Sequence, residues 1–378
     1  MHRNPKTLFA LLALTVCAGA AAPALSVAPE DDAEVDAILV KALRGKAIPG
    51  AVAAIARHGS EPRVAAWGVR KAGDDAPITS QDAMHIGSDT KAMTAVLIAR
   101  LVQQDKIGWQ STISDVLPDL AEGIHPAYGD VTVLQLLRHT SGAPGNAKDW
   151  RAFSDLAIRE RRVAIAAASM QKEPRAAPGA GYLYSNLGYM VAGAMLEAAC
   201  DATWEELIQQ HVFEPLGMEG AGFGVPGTKG ETDAPWGHRV SGDDARPIQG
   251  DNDAALGPAG TVYLPIESWA RFALQFTDTA AKDDEFLSKA SRRQLLEVDK
   301  DDYACGWMVV QRPWAGGTAL SHSGSNTMWF ATAWIAPKND TAYLVAVNAA
   351  GDGVGAEVDR LIGDLIRLDL SSKSKRGR

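Results

Sequence analysis

Cysteine is scarce: the 378-residue chain has three, and Cys17 falls in the apolar N-terminal run. Cys200 and Cys305 sit far apart in unrelated segments. They are either one disulfide or two buried free thiols, and too few to staple a small scaffold. Two cysteines and scattered histidines make no structural zinc site. A basic excess is also absent. Lys plus Arg number 37 against 46 Asp plus Glu, a net charge of −9. That argues against a nucleic-acid partner, whose binding rests on neutralising phosphates. Past the N-terminus no stretch reaches about 18 uninterrupted apolar residues, so no transmembrane helix is expected in the mature chain. Several chemistries lack their signature. No serine sits in Gly-x-Ser-x-Gly. There is no Gly-x-x-x-x-Gly-Lys-Ser/Thr, no Gly-x-Gly-x-x-Gly after a strand and no His-Glu-x-x-His, so no cofactor is expected. Asp243, Asp244, Asp251 and Asp253 lack the spacing of a calcium loop and read as a solvated loop, leaving no metal site.

What is present is ordinary globular composition, 46% apolar and 22% charged. The length fits one large domain or two interleaved ones. The start differs. His2, Arg3 and Lys6 precede an apolar run from Leu8 to Ala18 and the small-residue sequence Ala18-Gly19-Ala20-Ala21-Ala22. This predicts a signal peptide over 1–22 and an exported protein, periplasmic or secreted. Lipidation at Cys17 is the alternative, although Val16 is large for such a site. Residues 369–378 carry Lys373, Lys375, Arg376 and Arg378 and read as a basic tail.

Between these ends the pattern changes twice. Val35, Ile38, Leu39 and Ala42 have helical spacing and are stopped by Pro49-Gly50. Residues 51–57 and 63–69 are short apolar runs that predict a hairpin. Residues 89–104 predict a strong helix. From 110 to 300 the chain reads as helix and loop, with helices over 187–199, 204–212 and 266–276. Strands return over 305–311, 318–321, 329–336 and 342–348, and a helix closes at 354–368. The expected fold is α+β, an antiparallel sheet built from both chain ends (31–109 and 301–368), with flanking helices. The mainly helical segment 110–300 is inserted between its halves. Residues 31–368 form the domain.

Three segments carry chemistry. The first is Ser88-Asp89-Thr90-Lys91. Ser-x-x-Lys alone is weak: composition predicts about one copy and the chain has three, at Ser88, Ser169 and Ser372. Only Ser88 follows a glycine turn and opens a strong helix. There Ser88 and Lys91 share a face, and free N–H groups offer a place for an oxyanion. The second segment is Tyr184-Ser185-Asn186, the only Tyr-x-Asn in the chain. The third is His322-Ser323-Gly324-Ser325, at the end of a predicted strand.

With these three in order, the sequence resembles the serine β-lactamase and penicillin-binding superfamily. It is most similar to the class C-like branch, with its D-Ala-D-Ala carboxypeptidases, D-aminopeptidases and esterases. Leu136 to Gly142, Pro215 to Met218 and Gly257 to Gly260 look like further landmarks. The resemblance implies a β-lactamase/transpeptidase-like fold. It implies Ser88 as acylated nucleophile, with Lys91 and Tyr184 as its acid/base partners. Which of the two is the base stays open. Asn186, His322, Ser323, Gly324 and Ser325 would bind substrate, and the backbone N–H groups of Ser88 and Ser325 would form the oxyanion hole. His139 falls in a landmark without chemical role and reads as structural. The substrate would be a small ester, peptide or β-lactam. Histidine at 322, where class C β-lactamases usually carry lysine, favours esters or D-amino-acid peptides. A class C-like β-lactamase is the alternative, and a silent peptidoglycan-binding module is the alternative outside enzymes. No sequence feature specifies an oligomeric state.

Overall fold

Residues Ala51 to Ala56 show no alternation in sequence because their strand is buried on both faces, whereas Arg63 to Gly68 is half-buried. A computed structural model describes residues 31–282, 285–299 and 301–376, together with Met1. The expected signal peptide lies outside the described residues. Six strands form the main sheet: β1 (Gly50–Arg57), β2 (Arg63–Gly68), β3 (Met308–Arg312), β4 (Gly317–Ser325), β5 (Phe330–Ala336) and β6 (Thr341–Val347). Their order is β2-β1-β6-β5-β4-β3, and every pair is antiparallel. β1 pairs with β6 in the register Ala51↔Val347 to Arg57↔Thr341, which joins the two chain ends.

The helices include α1 (Ala33–Leu43), α2 (Thr90–Val102), α3 (Ile158–Ser169), α4 (Asn186–Cys200), α5 (Gly257–Gly260) and α6 (Val354–Arg376). Asp32 caps α1, its carboxylate accepting the N–H groups of Glu34 and Val35. One sheet face presents Ala51, Ala53, Ile55, Tyr343, Val345 and Val347 to Val35, Leu39, Val358 and Leu361 of α1 and α6. The alternate residues Val52, Ala54, Leu344 and Ala346 join the larger core on the other face, which includes α2 and α4. Each large aliphatic chain so buried contributes about 1.5–3 kcal/mol. Helix α2 is buried from Thr90 to Leu101 except at Arg100, so it runs through the core rather than along its surface. Among the described residues, no helix is long and apolar enough to cross a membrane.

Several elements depart from the sequence reading. β3 begins at Met308, not Cys305; Ala304, Cys305 and Trp307 are apolar because they are buried in the preceding turn. Cys200 and Cys305 are both free thiols. The segment 204–212 starts as a helix but continues as a π-turn over Gln209–Phe213. The middle of the chain also holds strands. Gly237–Ser241 lies between Asp244–Ile248 and Ala350–Gly351, and Val262–Leu264 lies between Met84–His85 and Gly222–Phe223. Helix α3 carries no sequence signature because its buried face includes Arg162 beside Ile165 and Ala166. The expected basic tail is largely helix, since α6 runs to Arg376. Asp369 anchors it: its carboxylate accepts from Arg57 at 2.7 Å and from the Tyr343 hydroxyl at 2.9 Å.

Candidate active site

Ser88 lies in a single 3₁₀ turn, Gly87–Asp89, that leads into α2. Gly87 is left-handed (φ +53°), which side-chain-bearing residues rarely adopt. The turn abuts the end of β4. A Cβ placed on Gly87 would stand 2.4 Å from the Ser325 backbone nitrogen. One placed on Gly324 would stand 2.0 Å from Ile86 O and 2.6 Å from the Ser88 nitrogen. Two glycines therefore let two backbones touch, with the nitrogens of Ser88 and Ser325 along one seam.

Lys91 follows one helical turn after Ser88 and is fully buried. Its Nζ is 3.0 Å from Ser88 Oγ, and it donates to Asn186 Oδ1 at 2.8 Å and to the Ala259 carbonyl at 2.6 Å. The carbonyl comes from α5, the Gly257–Gly260 landmark. The Tyr184 hydroxyl donates to Ser88 Oγ at 2.8 Å. Asn186 opens α4, and its Nδ2 donates to Asn146 Oδ1 at 2.8 Å, which fixes the amide so that Oδ1 faces Lys91. Ser185 caps α4, accepting the Gly188 N–H at 2.8 Å.

Burial sets the protonation states. It pushes the Lys91 amine well below its ordinary value, only partly opposed by the nearby Asp89. It pushes the Tyr184 phenol up to about 12, against the hydrogen bond to Ser88. The Asp89 carboxyl is raised by burial too, against the pull of His322 and Lys91. Burial thus favours the neutral amine at Lys91 and the intact phenol at Tyr184.

His139 has more to do than fill space. Its carbonyl accepts the Leu183 N–H at 2.7 Å and its Nδ1 accepts the Ser185 N–H at 3.1 Å. Its ring lies 4.5 Å from the Tyr184 ring, centroid to centroid. The backbone on both sides of Tyr184 is therefore held by one residue. Burial drives its imidazole well below the ordinary range, so it stays neutral.

The third segment divides. Gly324 and Ser325 meet the nucleophile turn. Ser323 sits on the opposite face, and its hydroxyl shares a hydrogen bond with Thr332 Oγ1 at 3.0 Å. His322 is buried, and its Nδ1 lies 3.7 Å from Asp89 Oδ1. Trp307 and Trp329 are core residues, each 1% exposed. The reading of a solvated acidic loop fails at two positions. Asp253 pairs with Arg161 at 2.6 Å, and Asp251 is buried against His85 and Asn326. Long-range partners like these leave no local pattern; nor do Asn146 and the Ala259 carbonyl.

The family model described as beta-lactamase matches residues 35–366. Protein flp of Staphylococcus aureus (strain MW2) is 23% identical over 333 residues, 87% of this chain and 65% of that protein. The chain thus spans under two thirds of that relative's length. Esterase EstB of Burkholderia gladioli is 32% identical over 210 residues, 50% of this chain and 51% of EstB. The octameric penicillin-binding protein homologue from Pyrococcus abyssi superposes with a TM-score of 0.69 at 22% identity. That match covers 83% of this chain and 73% of that one, a likeness of fold.

Proposed function

This chain belongs to the beta-lactamase family and is, in general character, a serine hydrolase; from that premise we propose that it cleaves carboxylic esters through an acyl-enzyme on Ser88. The observation that carries the reading is the bonding around Lys91 Nζ. A neutral amine has two N–H groups and one lone pair. Asn186 Oδ1 and the Ala259 carbonyl can only accept, so they take both N–H groups. The lone pair then faces Ser88 Oγ at 3.0 Å. Tyr184 donates to the same oxygen, so the Ser88 proton is directed at Lys91.

The reaction follows from this arrangement. Lys91 takes the Ser88 proton while Oγ bonds to the substrate carbonyl carbon. The carbonyl oxygen becomes an oxyanion opposite the N–H groups of Ser88 and Ser325, each such donor being worth about 100–1000-fold in rate. When the intermediate collapses, the bond to the leaving alcohol breaks. The alcohol takes the proton from Tyr184, which is replenished from Lys91. Water then enters by the reverse route and releases the acid.

The preference for esters rests on His322. Its Nδ1 lies 3.7 Å from the protein's own Asp89, and its side chain is shorter than a lysine's. It therefore offers a weak site for the carboxylate of a β-lactam. The relationship to EstB supports the same class. Export is proposed on the N-terminal sequence pattern. A panel of short p-nitrophenyl esters, nitrocefin, a D-Ala-D-Ala peptide and D-amino-acid amides tests the reading. Turnover of an ester should exceed the others. A kcat/KM for nitrocefin roughly 100-fold above every ester, about 2.7 kcal/mol, would replace it with a β-lactamase.

A further inference from the structure

The two N–H groups assigned to the oxyanion come from opposite ends of the chain. Something must hold them in register, and the seam of glycines alone only permits the approach. Behind the seam lies Asp251, its side chain 5% exposed. Its Oδ1 is 2.9 Å from Nε2 of His85, itself 1% exposed, and accepts a 2.8 Å hydrogen bond from Asn326 Nδ2. Each contact leads to one oxyanion donor. His85 Nδ1 accepts the Gly87 N–H at 3.0 Å, and Gly87 precedes Ser88. That bond requires Nδ1 to be bare, which leaves the ring proton on Nε2; its 2.9 Å approach to Asp251 Oδ1 is a close polar contact without hydrogen-bond alignment. Asn326 follows Ser325, and its Oδ1 accepts the N–H groups of Met328 and Trp329 at 3.1 Å each, closing the turn beyond β4. The other oxygen, Asp251 Oδ2, is buried with no hydrogen-bond partner among the described residues. A carboxylate desolvated with half its capacity unused is costly and poorly suited to mere packing.

We propose that Asp251 is a positioning residue for catalysis: through His85 and Asn326 it sets the spacing between the backbone N–H groups of Ser88 and Ser325. The proposal rests on the Ser88 acyl-enzyme reading. It predicts an effect confined to the transition state, because the oxyanion, not the bound ester, needs both donors aligned.

The test uses the full chain, p-nitrophenyl butyrate and an arylboronic acid that forms a tetrahedral adduct on Ser88. Misaligning a donor should cost somewhat less than deleting one. Asp251→Ala is therefore expected to lower kcat about 10–100-fold, with KM within about threefold. Boronate affinity should fall in parallel with kcat. Asp251→Asn keeps an oxygen to accept from Asn326 and to contact His85, and should restore kcat to within about threefold of wild type. If Asp251→Ala does not fold, Asn326→Ala removes one arm, leaves the His85 contact, and should show the same split. A kcat for Asp251→Ala within threefold of wild type overturns the proposal. So does a loss of kcat with unchanged boronate affinity, or an Asp251→Asn as impaired as Asp251→Ala. The Ser88→Ala variant separates the two levels. Activity surviving in it overturns the acyl-enzyme reading itself. Activity lost in it, with Asp251→Ala unimpaired, overturns only the positioning role.

Discussion

Gly324→Ala is the smallest change that probes the meeting of the two backbones. The added methyl carbon would lie 2.0 Å from Ile86 O, 2.6 Å from the Ser88 nitrogen and 2.7 Å from Asp89 Oδ2. Two of the three obstacles are backbone and cannot swing away as a side chain could. Restoring ordinary contact with Ile86 O requires about 1 Å of separation between β4 and the nucleophile turn. A displacement of about 1 Å in a reacting geometry costs on the order of 100-fold, or about 2.7 kcal/mol of transition-state stabilisation. The fold need not suffer equally, because Gly324 is near the end of β4 and the rest of the ladder with β5 is untouched. The assay is kcat/KM on a p-nitrophenyl ester beside a thermal unfolding curve. The expected result is a loss of roughly 100-fold with a folded protein. Activity within threefold of wild type would refute the claim that the oxyanion donors lie on this seam.

Other expectations follow from the same geometry. Because burial lowers the Lys91 pKa and the amine must be neutral to accept the Ser88 proton, ester kcat/KM should rise with pH through that lowered value and then level. Tyr184 keeps its proton to about 12, so no alkaline decline should arise from it; a profile still climbing at pH 10 would show an ordinary lysine. Lys91→Ala and Tyr184→Phe should each lower kcat about 100-fold or more, and the double variant little further; additive losses would separate their roles. His322→Lys should raise kcat/KM for a cephalosporin about tenfold relative to a neutral ester, and an unchanged ratio would remove His322 from substrate selection. Glu197, buried in an ion pair with Arg162, bears on stability. Glu197→Ala should cost about 3–5 kcal/mol in denaturant unfolding, and an unmoved midpoint would contradict that.

The parts of this site that could be read from sequence are those whose partners are close in the chain or whose residue types are rare. Ser88 and Lys91 are one helical turn apart, and Tyr184-x-Asn186 occurs once, so order along the chain sufficed. The hairpin β1–β2 and the return of strands after 300 likewise pointed to a sheet of both ends. Asp251 was misread because acidity in a loop looks like solvation; only the three-dimensional meeting with His85 and Asn326 shows otherwise. Helix α3 was missed because its buried Arg162 mimics a surface residue until Glu197 and Glu205 appear beside it. The start of β3 was misplaced because Cys305 and Trp307 are apolar for packing, not for pairing. The role of His139 was invisible because it acts through its backbone carbonyl and ring on residues that flank Tyr184.

The central claim is that Ser88 forms a covalent intermediate, and intact-mass spectrometry with a fluorophosphonate probe tests it most directly. The probe should add once per chain, peptide mapping should find the adduct on Ser88, and Ser88→Ala should show none. No adduct on the wild-type protein, or an equal adduct on Ser88→Ala, would contradict the account.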